Sequence, residues 1–103
     1  MTDFSQGDVI KISGFKNQLF VIMSKNAFIK ATGVFHVSPL VNGISAGPLH
    51  IPVIGKHATQ GVICCEQIKL IDPAIRICRK TDLLSYRDII NVSDAIQGIF
   101  EYD

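Results

Sequence analysis

Short apolar runs separated by turn residues cover the first three quarters of the chain. Their length, their β-branched content and the Gly, Pro and Asn residues between them are typical of strands. The runs predict strands at Asp8–Ile12, Leu19–Met23, Val34–Val41, Leu49–Ile54, Gly61–Ile71 and Ile75–Cys78. Gly14–Asn17 is predicted to be a short hairpin connection, and Ser24–Thr32 a turn of helix or an irregular connector. Pro39 predicts that its strand lies at a sheet edge or contains a bulge.

The last part of the chain changes to a helical period. Apolar side chains recur every three or four residues, at Tyr86, Ile89, Ile90, Val92, Ile96, Ile99 and Phe100. This period predicts an amphipathic helix, and Ser85 with Asp88 three residues later resembles a capping box. Many short strands followed by one helix indicate a mainly β fold with a C-terminal α-helix (α+β), in which a small curved sheet or partial β-barrel is packed by helices.

The bulk composition fits one domain over residues 1–103. The chain has 103 residues, of which 48% are hydrophobic and 18% charged. A chain of this kind has more apolar surface than a small monomer easily hides, so we expect a self-association interface. No apolar run approaches the roughly 20 residues that a membrane-spanning helix needs, and the N-terminus lacks a signal-peptide pattern. We therefore expect a soluble cytoplasmic protein with no membrane partner.

Charge and cysteine content exclude further classes. The net charge of +1 gives no global electrostatic attraction for nucleic acid, which leaves only a local basic groove. Adjacent Cys64 and Cys65 point to opposite faces of a strand, and with Cys78 they make an odd count, which argues against a disulfide framework. Because no Cys-x-x-Cys or Cys/His spacing is present, we predict buried thiols and no metal site.

One carboxylate interrupts the apolar segment Gly61–Asp72. Glu66 falls inside the strand predicted there, where desolvation is unfavourable unless the carboxylate is hydrogen-bonded, paired or catalytic. It is therefore either an acid/base group or a structural carboxylate that fixes nearby loop amides or pairs with a lysine.

Several segments, taken in order, resemble the MazF/PemK-type toxins of bacterial type II toxin–antitoxin systems. Gly7–Ile10 resembles the start of that family's first strand. Val21–Phe28, reading VIMSKNAF, is similar to its second strand followed by Ser-Pro-Asn-Ala-Phe. Ala31-Thr32-Gly33 and Pro39 follow at the expected distances. Gly61–Asp72 resembles the family's Gly-Val…Asp-Gln-Val-Arg-Thr-Leu-Asp segment, so the resemblance extends over nearly the whole chain.

The resemblance implies a small SH3-like, partial β-barrel of the MazF/Kid/CcdB type and a homodimer with a groove across it. It also implies cleavage of single-stranded RNA without a metal or other cofactor, in the bacterial cytoplasm. The implied partners are a cognate antitoxin peptide, RNA, and DNA reached through the antitoxin.

The chain departs from the family's usual catalytic positions. Metal-independent RNA cleavage needs a base, an acid and a group that stabilises the charged phosphorane. The family's Arg-Pro pair aligns with Gln18-Leu19, and glutamine supplies no permanent charge. The usual Thr aligns with Val41, beside Asn42, which falls where some members have Ser. The resemblance implies Glu66, Gln18 and Asn42 as the catalytic candidates.

The substrate-binding candidates lie near the shortened first hairpin and on the third strand. Lys16 and Lys11 are candidates for phosphate contacts, and the alternative is solvated surface lysines. Phe15 is a candidate for base stacking or a hydrophobic plug over the barrel end. Ser38 completes this set.

Three histidines remain as further candidates. We expect His36 to be a hydrogen-bonded histidine of the sheet, whereas His50 and His57, near loops, could each serve as a base near neutral pH.

Three functions compete. The first is a toxin that acts as an endoribonuclease through a divergent active site, in which Glu66, Gln18 and a His or Lys take part. The second is a cleavage-deficient RNA- or antitoxin-binding module of the same fold. The third is a toxin of this fold group that poisons a protein such as gyrase.

Overall fold

The computed structural model describes residues 3–101, which form a mainly antiparallel β structure with two helices. The strands are β1 (Asp8–Ile12), β2 (Leu19–Ile22), β3 (Phe35–Val41), β4 (His50–Ile54), β5 (Gln60–Cys64), β6 (Lys69–Ile71) and β7 (Cys78–Leu83). The helices are α1 (Asn26–Thr32), between β2 and β3, and α2 (Tyr86–Ile99), after β7. The prediction of a mainly β fold with a C-terminal helix is confirmed.

The strands form one sheet that does not close on itself. Its strand order is β4-β5-β3-β2-β1-β7, and β6 pairs with β3 beside β5. All these pairs are antiparallel. Because β4 and β7 are the two ends of this order, the sheet is not closed, which agrees with the predicted partial barrel.

The prediction of one strand over Gly61–Ile71 is wrong. A turn begins at Cys65, so β5 ends before it and β6 begins at Lys69. Both strands pair with β3, and they use its two halves in succession. The apolar run continues through the break because Cys65 is buried and packs in the core. Glu66 therefore lies on a turn rather than inside a strand.

Pro39 lies in a central strand, so the predicted edge position is also wrong. On one side β3 pairs with β2 along its length, including Phe20 opposite Pro39. On the other side β6 pairs with Phe35–Val37 and β5 with Leu40–Val41. Pro39 falls in the gap between these two partners, where a residue without an N–H removes no ladder hydrogen bond on that side.

The predicted strand Ile75–Cys78 is displaced toward the C-terminus. The N–H groups of Ile75 and Arg76 donate to the Asp72 carbonyl and form a turn, and the strand begins at Cys78. The sequence of β7, CRKTDL, is largely polar because β7 is an edge strand that is solvated on one face. An apolar pattern therefore could not find it.

Two apolar clusters pack on the two faces of the sheet. On one face Val9, Val21 and Ile63 pack with Val92 of α2. On the other, Phe20 and Phe35 pack with Ile29 of α1. Helix α1 confirms the helical alternative predicted for Ser24–Thr32. The Ser85 hydroxyl accepts a hydrogen bond from the N–H of Asp88 at 3.2 Å, which confirms the predicted cap of α2.

A buried carboxylate joins the two open edges of the sheet. Asp82 of β7, 1% exposed, accepts hydrogen bonds from the backbone N–H groups of His57 (2.9 Å) and Thr59 (3.0 Å) in the β4–β5 loop. It also accepts from the N–H of Leu83 at 2.7 Å. Burial alone would raise the pKa of this carboxyl, but hydrogen bonds from the Thr59 side chain and these N–H groups outweigh it and hold the pKa well below its usual range.

Neither helix within residues 3–101 is long and apolar enough to cross a membrane.

Candidate functional site

Glu66 and His50 form a contact at the surface. Antiparallel pairing of β4 and β5 places His50 directly opposite Cys64, and the turn after β5 presents Glu66 two residues later. His50 Nε2 lies 3.1 Å from Glu66 Oε1 and 3.3 Å from Oε2. Their side chains are 39% and 35% exposed, so both groups are accessible from solvent. The carboxylate is thus paired, but with an imidazole rather than with a lysine.

The ionisation of Glu66 determines which atom carries the hydrogen between the two side chains. A backbone hydrogen bond lowers the pKa of the Glu66 carboxyl; desolvation opposes this shift, and the side chains of His50 and Gln67 reinforce it. Glu66 is therefore ionised at neutral pH and can only accept. His50 Nε2 must then carry the hydrogen between the two groups. In the neutral imidazole this arrangement leaves Nδ1 with a lone pair that can accept a proton.

Phe15 contacts two cations. Its ring packs edge-to-face on the buried Phe20, with the centroids 5.1 Å apart. The guanidinium carbon of Arg76 lies 5.1 Å from the Phe15 centroid, and Lys69 Nζ lies 5.9 Å from it. The packing supports the plug interpretation of Phe15, and the cation–π contacts hold two positive charges beside it.

A basic groove continues from Phe15. Phe15, Lys11, Lys16 and Arg79 line this groove together with the exposed Ile77. Lys11 and Arg79 are direct cross-strand neighbours in the β1–β7 pair. Like charges in that position repel each other, so an anion bound between them would be stabilising. The structure therefore brings together three of the predicted substrate-binding residues and adds Arg79.

The basic groove and the Glu66–His50 pair are joined by a short segment. Glu66 precedes Lys69 by three residues, which span at most about 10 Å of extended chain. Lys69 in turn contacts the face of Phe15. A flexible polymer with several phosphates could therefore contact both features.

Three other candidates lie outside this arrangement. The Gln18 side-chain amide donates to the carbonyls of Leu19 (2.7 Å) and Leu40 (3.0 Å), so its N–H groups are already used within the sheet. Ser38 is fully buried, and this corrects its prediction as a substrate contact, because a buried side chain cannot meet RNA at the surface. Asn42 is exposed but lines a different depression, together with Gln60 and Asp88.

The remaining histidines have separate positions. His36 Nδ1 lies 2.8 Å from the Ser24 hydroxyl, which confirms it as a hydrogen-bonded sheet histidine. His57 is exposed in the β4–β5 loop. All three cysteines are free thiols: Cys64 and Cys65 are buried, and Cys78 is half-buried.

In the sequence His50 is one of several candidate histidines, and no pattern there singles out Arg76 or Arg79. The β4–β5 register selects His50, because it is the cross-strand neighbour of the residue two positions before Glu66. The position of Arg76 is set by the turn after Asp72, and the position of Arg79 is set by the displaced strand β7. For His50 the sequence did contain a signal, because the period-2 alternation places it on the face of its strand opposite Ile51.

The sequence of most of the chain matches a known class of proteins. The sequence profile described as "PemK-like, MazF-like toxin of type II toxin-antitoxin system" matches residues 5–100. The chain therefore belongs to the PemK-like, MazF-like toxin family. Among curated protein sequences, none matches the chain significantly.

Solved structures of MazF and of an endoribonuclease have a similar fold at low sequence identity. A MazE–MazF crystal structure (Form-II) from Deinococcus radiodurans superposes with a TM-score of 0.82 at 12% identity over 100% of both chains. MazF (Form-I) from the same organism gives 0.78 at 11% identity over 96% of this chain and 97% of that one. An endoribonuclease in complex with its cognate antitoxin, from a Mycobacterial species, gives 0.74 at 14% identity over 97% and 99%.

Proposed function

We propose that this chain is the toxin component of a type II toxin–antitoxin system and cleaves single-stranded RNA through the Glu66–His50 pair. The contact between these two exposed side chains is the observation that carries the proposal. Imidazole is a group suited to proton transfer near neutral pH, and the Glu66 carboxylate beside it fixes its tautomer.

The cleavage step follows from the hydrogens of the pair. His50 Nδ1 accepts the proton of a ribose 2′-hydroxyl, and the 2′-oxygen forms a bond to phosphorus. The bond from phosphorus to the 5′-oxygen breaks, and the leaving oxygen takes a proton from the imidazolium or from water. The products are a 2′,3′-cyclic phosphate and a 5′-hydroxyl. His50 is the catalytic base, and Glu66 is a positioning residue that stabilises the imidazolium.

The basic groove supplies substrate binding in this proposal. Lys11, Lys16 and Arg79 contact phosphates, and Lys69 and Arg76 add positive charge at the Phe15 ring beside the groove. These cations replace the single Arg that the family usually has and that is Gln18 here. Phosphate contacts of this kind bind RNA with a strong dependence on salt and little sequence preference.

A binding-only function is the second candidate, and Gln18 is the observation that favours it. Its amide N–H groups are held by two backbone carbonyls and are not available to a phosphorane. Val41 offers no hydroxyl. A chain with these two changes could retain the RNA- or antitoxin-binding surface and lose cleavage.

One incubation distinguishes the two candidates. Purified protein is mixed with a long single-stranded RNA in EDTA, and both RNA length and the end groups are measured. Fragments with 2′,3′-cyclic phosphate and 5′-hydroxyl ends support cleavage. A gel shift with intact RNA at high protein excess would leave only the binding function. RNA that is neither cleaved nor shifted would refute RNA as the target.

We also propose a homodimer and an antitoxin partner. Several large apolar side chains are mostly exposed, among them Ile75 (81%), Ile77 (78%), Tyr86 (77%) and Phe100 (72%). Exposed apolar side chains of this size support association between proteins. Ile77 borders the basic groove, so an acidic antitoxin segment with apolar anchors would complement that surface. Contact with DNA through the antitoxin stays a prediction.

Solution mass tests the dimer. Light scattering is expected to give twice the 11.3 kDa chain mass. A monomer at micromolar concentration would refute the dimer without affecting the RNA proposal.

A further inference from the structure

We infer that His50, Cys64 and Glu66 form a binding site for one transition-metal ion of the Zn²⁺ type. One ligand atom from each residue lies within 4.8 Å of the other two. The β4–β5 register places His50 opposite Cys64, and the turn after β5 places Glu66 beside His50. This inference goes beyond the proposed RNA cleavage and does not depend on it.

The distances suit tetrahedral coordination after a small movement. Bonds of about 2.3 Å to sulfur and about 2.0–2.1 Å to nitrogen or oxygen put the ligand atoms of one Zn²⁺ roughly 3.3–3.6 Å apart. His50 Nε2 and Glu66 Oε1 are already 3.1 Å apart. The Cys64 sulfur lies within 4.8 Å of a ring nitrogen of His50 and a carboxylate oxygen of Glu66. Closure around one ion therefore needs a shift of about 1 Å.

The ligand set also selects the type of ion. Imidazole, thiolate and carboxylate are all ligands of Zn²⁺, whereas Mg²⁺ and Ca²⁺ favour oxygen ligands. Three protein ligands leave one position for water. Binding would move the hydrogen of the neutral His50 imidazole from Nε2 to Nδ1 and release the thiol proton of Cys64, so the ion replaces one proton. The ion would enter from the solvent side, because His50 and Glu66 are partly exposed while Cys64 is buried.

Linear spacing could not find this site. The sequence has no Cys-x-x-Cys and no close Cys/His pair, and for that reason we expected no metal. His50 and Cys64 are 14 residues apart and become neighbours only through cross-strand pairing. Cys64 and Glu66 supply the one short spacing in the set.

Metal binding would compete with the proposed chemistry. An ion on His50 Nε2 and Glu66 would remove the hydrogen bond that fixes the imidazole and would hold the carboxylate. We therefore expect Zn²⁺ to inhibit RNA cleavage. This inhibition is a consequence of the site and not its test, because it requires an active enzyme.

Cobalt provides the test. The full-length protein, reduced and freed of metal, is titrated with Co²⁺, which gives a near-ultraviolet thiolate-to-metal charge-transfer band when a cysteine binds it. We expect a saturable band with one ion per chain that Zn²⁺ displaces. Cys64→Ser should remove the band, while Cys78→Ser, which changes a half-buried thiol elsewhere, should retain it.

A second variant keeps the test independent of folding defects in the core. His50→Gln changes a partly exposed side chain and should weaken Zn²⁺ binding, measured by competition with a chromophoric chelator, at least tenfold relative to His57→Gln. The inference is overturned if no saturable band forms, if the band survives Cys64→Ser, or if the two histidine variants bind Zn²⁺ equally. Failure of RNA cleavage would leave the cobalt result unchanged.

Discussion

Replacing Asp82 by asparagine tests how the two open edges of the sheet are held together. The carboxylate accepts three backbone N–H groups, those of His57, Thr59 and Leu83, at 2.7–3.0 Å. The asparagine oxygen can accept only two hydrogen bonds, and its NH₂ group would face N–H donors. One buried donor left unpaired costs about 1–3 kcal/mol, and the remaining bonds lose their ionic character. We expect Asp82→Asn to lower the free energy of unfolding by about 3 kcal/mol.

The same contacts give the effect a pH dependence. Because the folded pKa of Asp82 is held well below the unfolded value of about 3.9, its stabilisation is complete above pH 5 and is lost as the pH falls below 4. At pH 3 the unfolded chain gains about 1.3 kcal/mol by binding a proton that the folded carboxylate does not take. The difference between wild type and Asp82→Asn should therefore shrink by this amount between pH 7 and pH 3.

Urea denaturation followed by far-ultraviolet circular dichroism measures both quantities, since the chain has no tryptophan. Protein concentrations must be equal, because a dimer makes the transition concentration-dependent. Asp94→Asn, the same change at an exposed position of α2, is the control and should stay within about 0.5 kcal/mol of wild type. The reasoning is refuted if Asp82→Asn behaves like Asp94→Asn, or if its effect does not change with pH.

Two further predictions follow from single contacts. A Cβ at Gly55 would clash with the carboxylate of Asp82, so Gly55→Ala should destabilise the protein by about 2 kcal/mol. Gly98 lies in α2, and a Cβ there would have no neighbour within 4 Å, so Gly98→Ala should stabilise the protein by about 0.5–1 kcal/mol. Thermal unfolding of the two variants checks the opposite signs. The double variant Lys11→Gln/Arg79→Gln should weaken binding of single-stranded RNA and lower the slope of log K against log salt by about 1.4, which fluorescence anisotropy at several salt concentrations measures.

Each has a contradicting outcome. If Gly55→Ala stabilises the protein, the carboxylate at that position is not fixed by its hydrogen bonds. For the groove, Lys30→Gln on the exposed surface of α1 is the control, and an equal loss of RNA affinity in that variant would mean that the basic groove has no special role.

The sequence predicted the elements whose pattern is local. The strands before Pro39, the capped helix α2 and the partial barrel followed from apolar periods and turn residues. The break between β5 and β6 did not, because Cys65 keeps the apolar pattern across the turn. The edge strand β7 is polar because one of its faces is solvated, so no apolar pattern marked it.

The candidate site depended more on pairing than on pattern. Lys11, Phe15 and Lys16 are close in sequence and were found together, whereas His50 reaches Glu66 only through the β4–β5 register. The expectation that Glu66 is desolvated in a strand was wrong, since the turn exposes it. What makes it a functional candidate is the imidazole beside it.

The central claim is that His50, held by Glu66, is the base of an RNA-cleaving toxin. The most direct measurement compares cleavage rates of one single-stranded RNA in EDTA by wild type, His50→Gln and His57→Gln. We predict that His50→Gln lowers the rate at least ~100-fold, as expected for loss of a general base, while His57→Gln stays within about twofold of wild type. Cleavage by His50→Gln at the wild-type rate, or intact RNA with wild type, would contradict the claim.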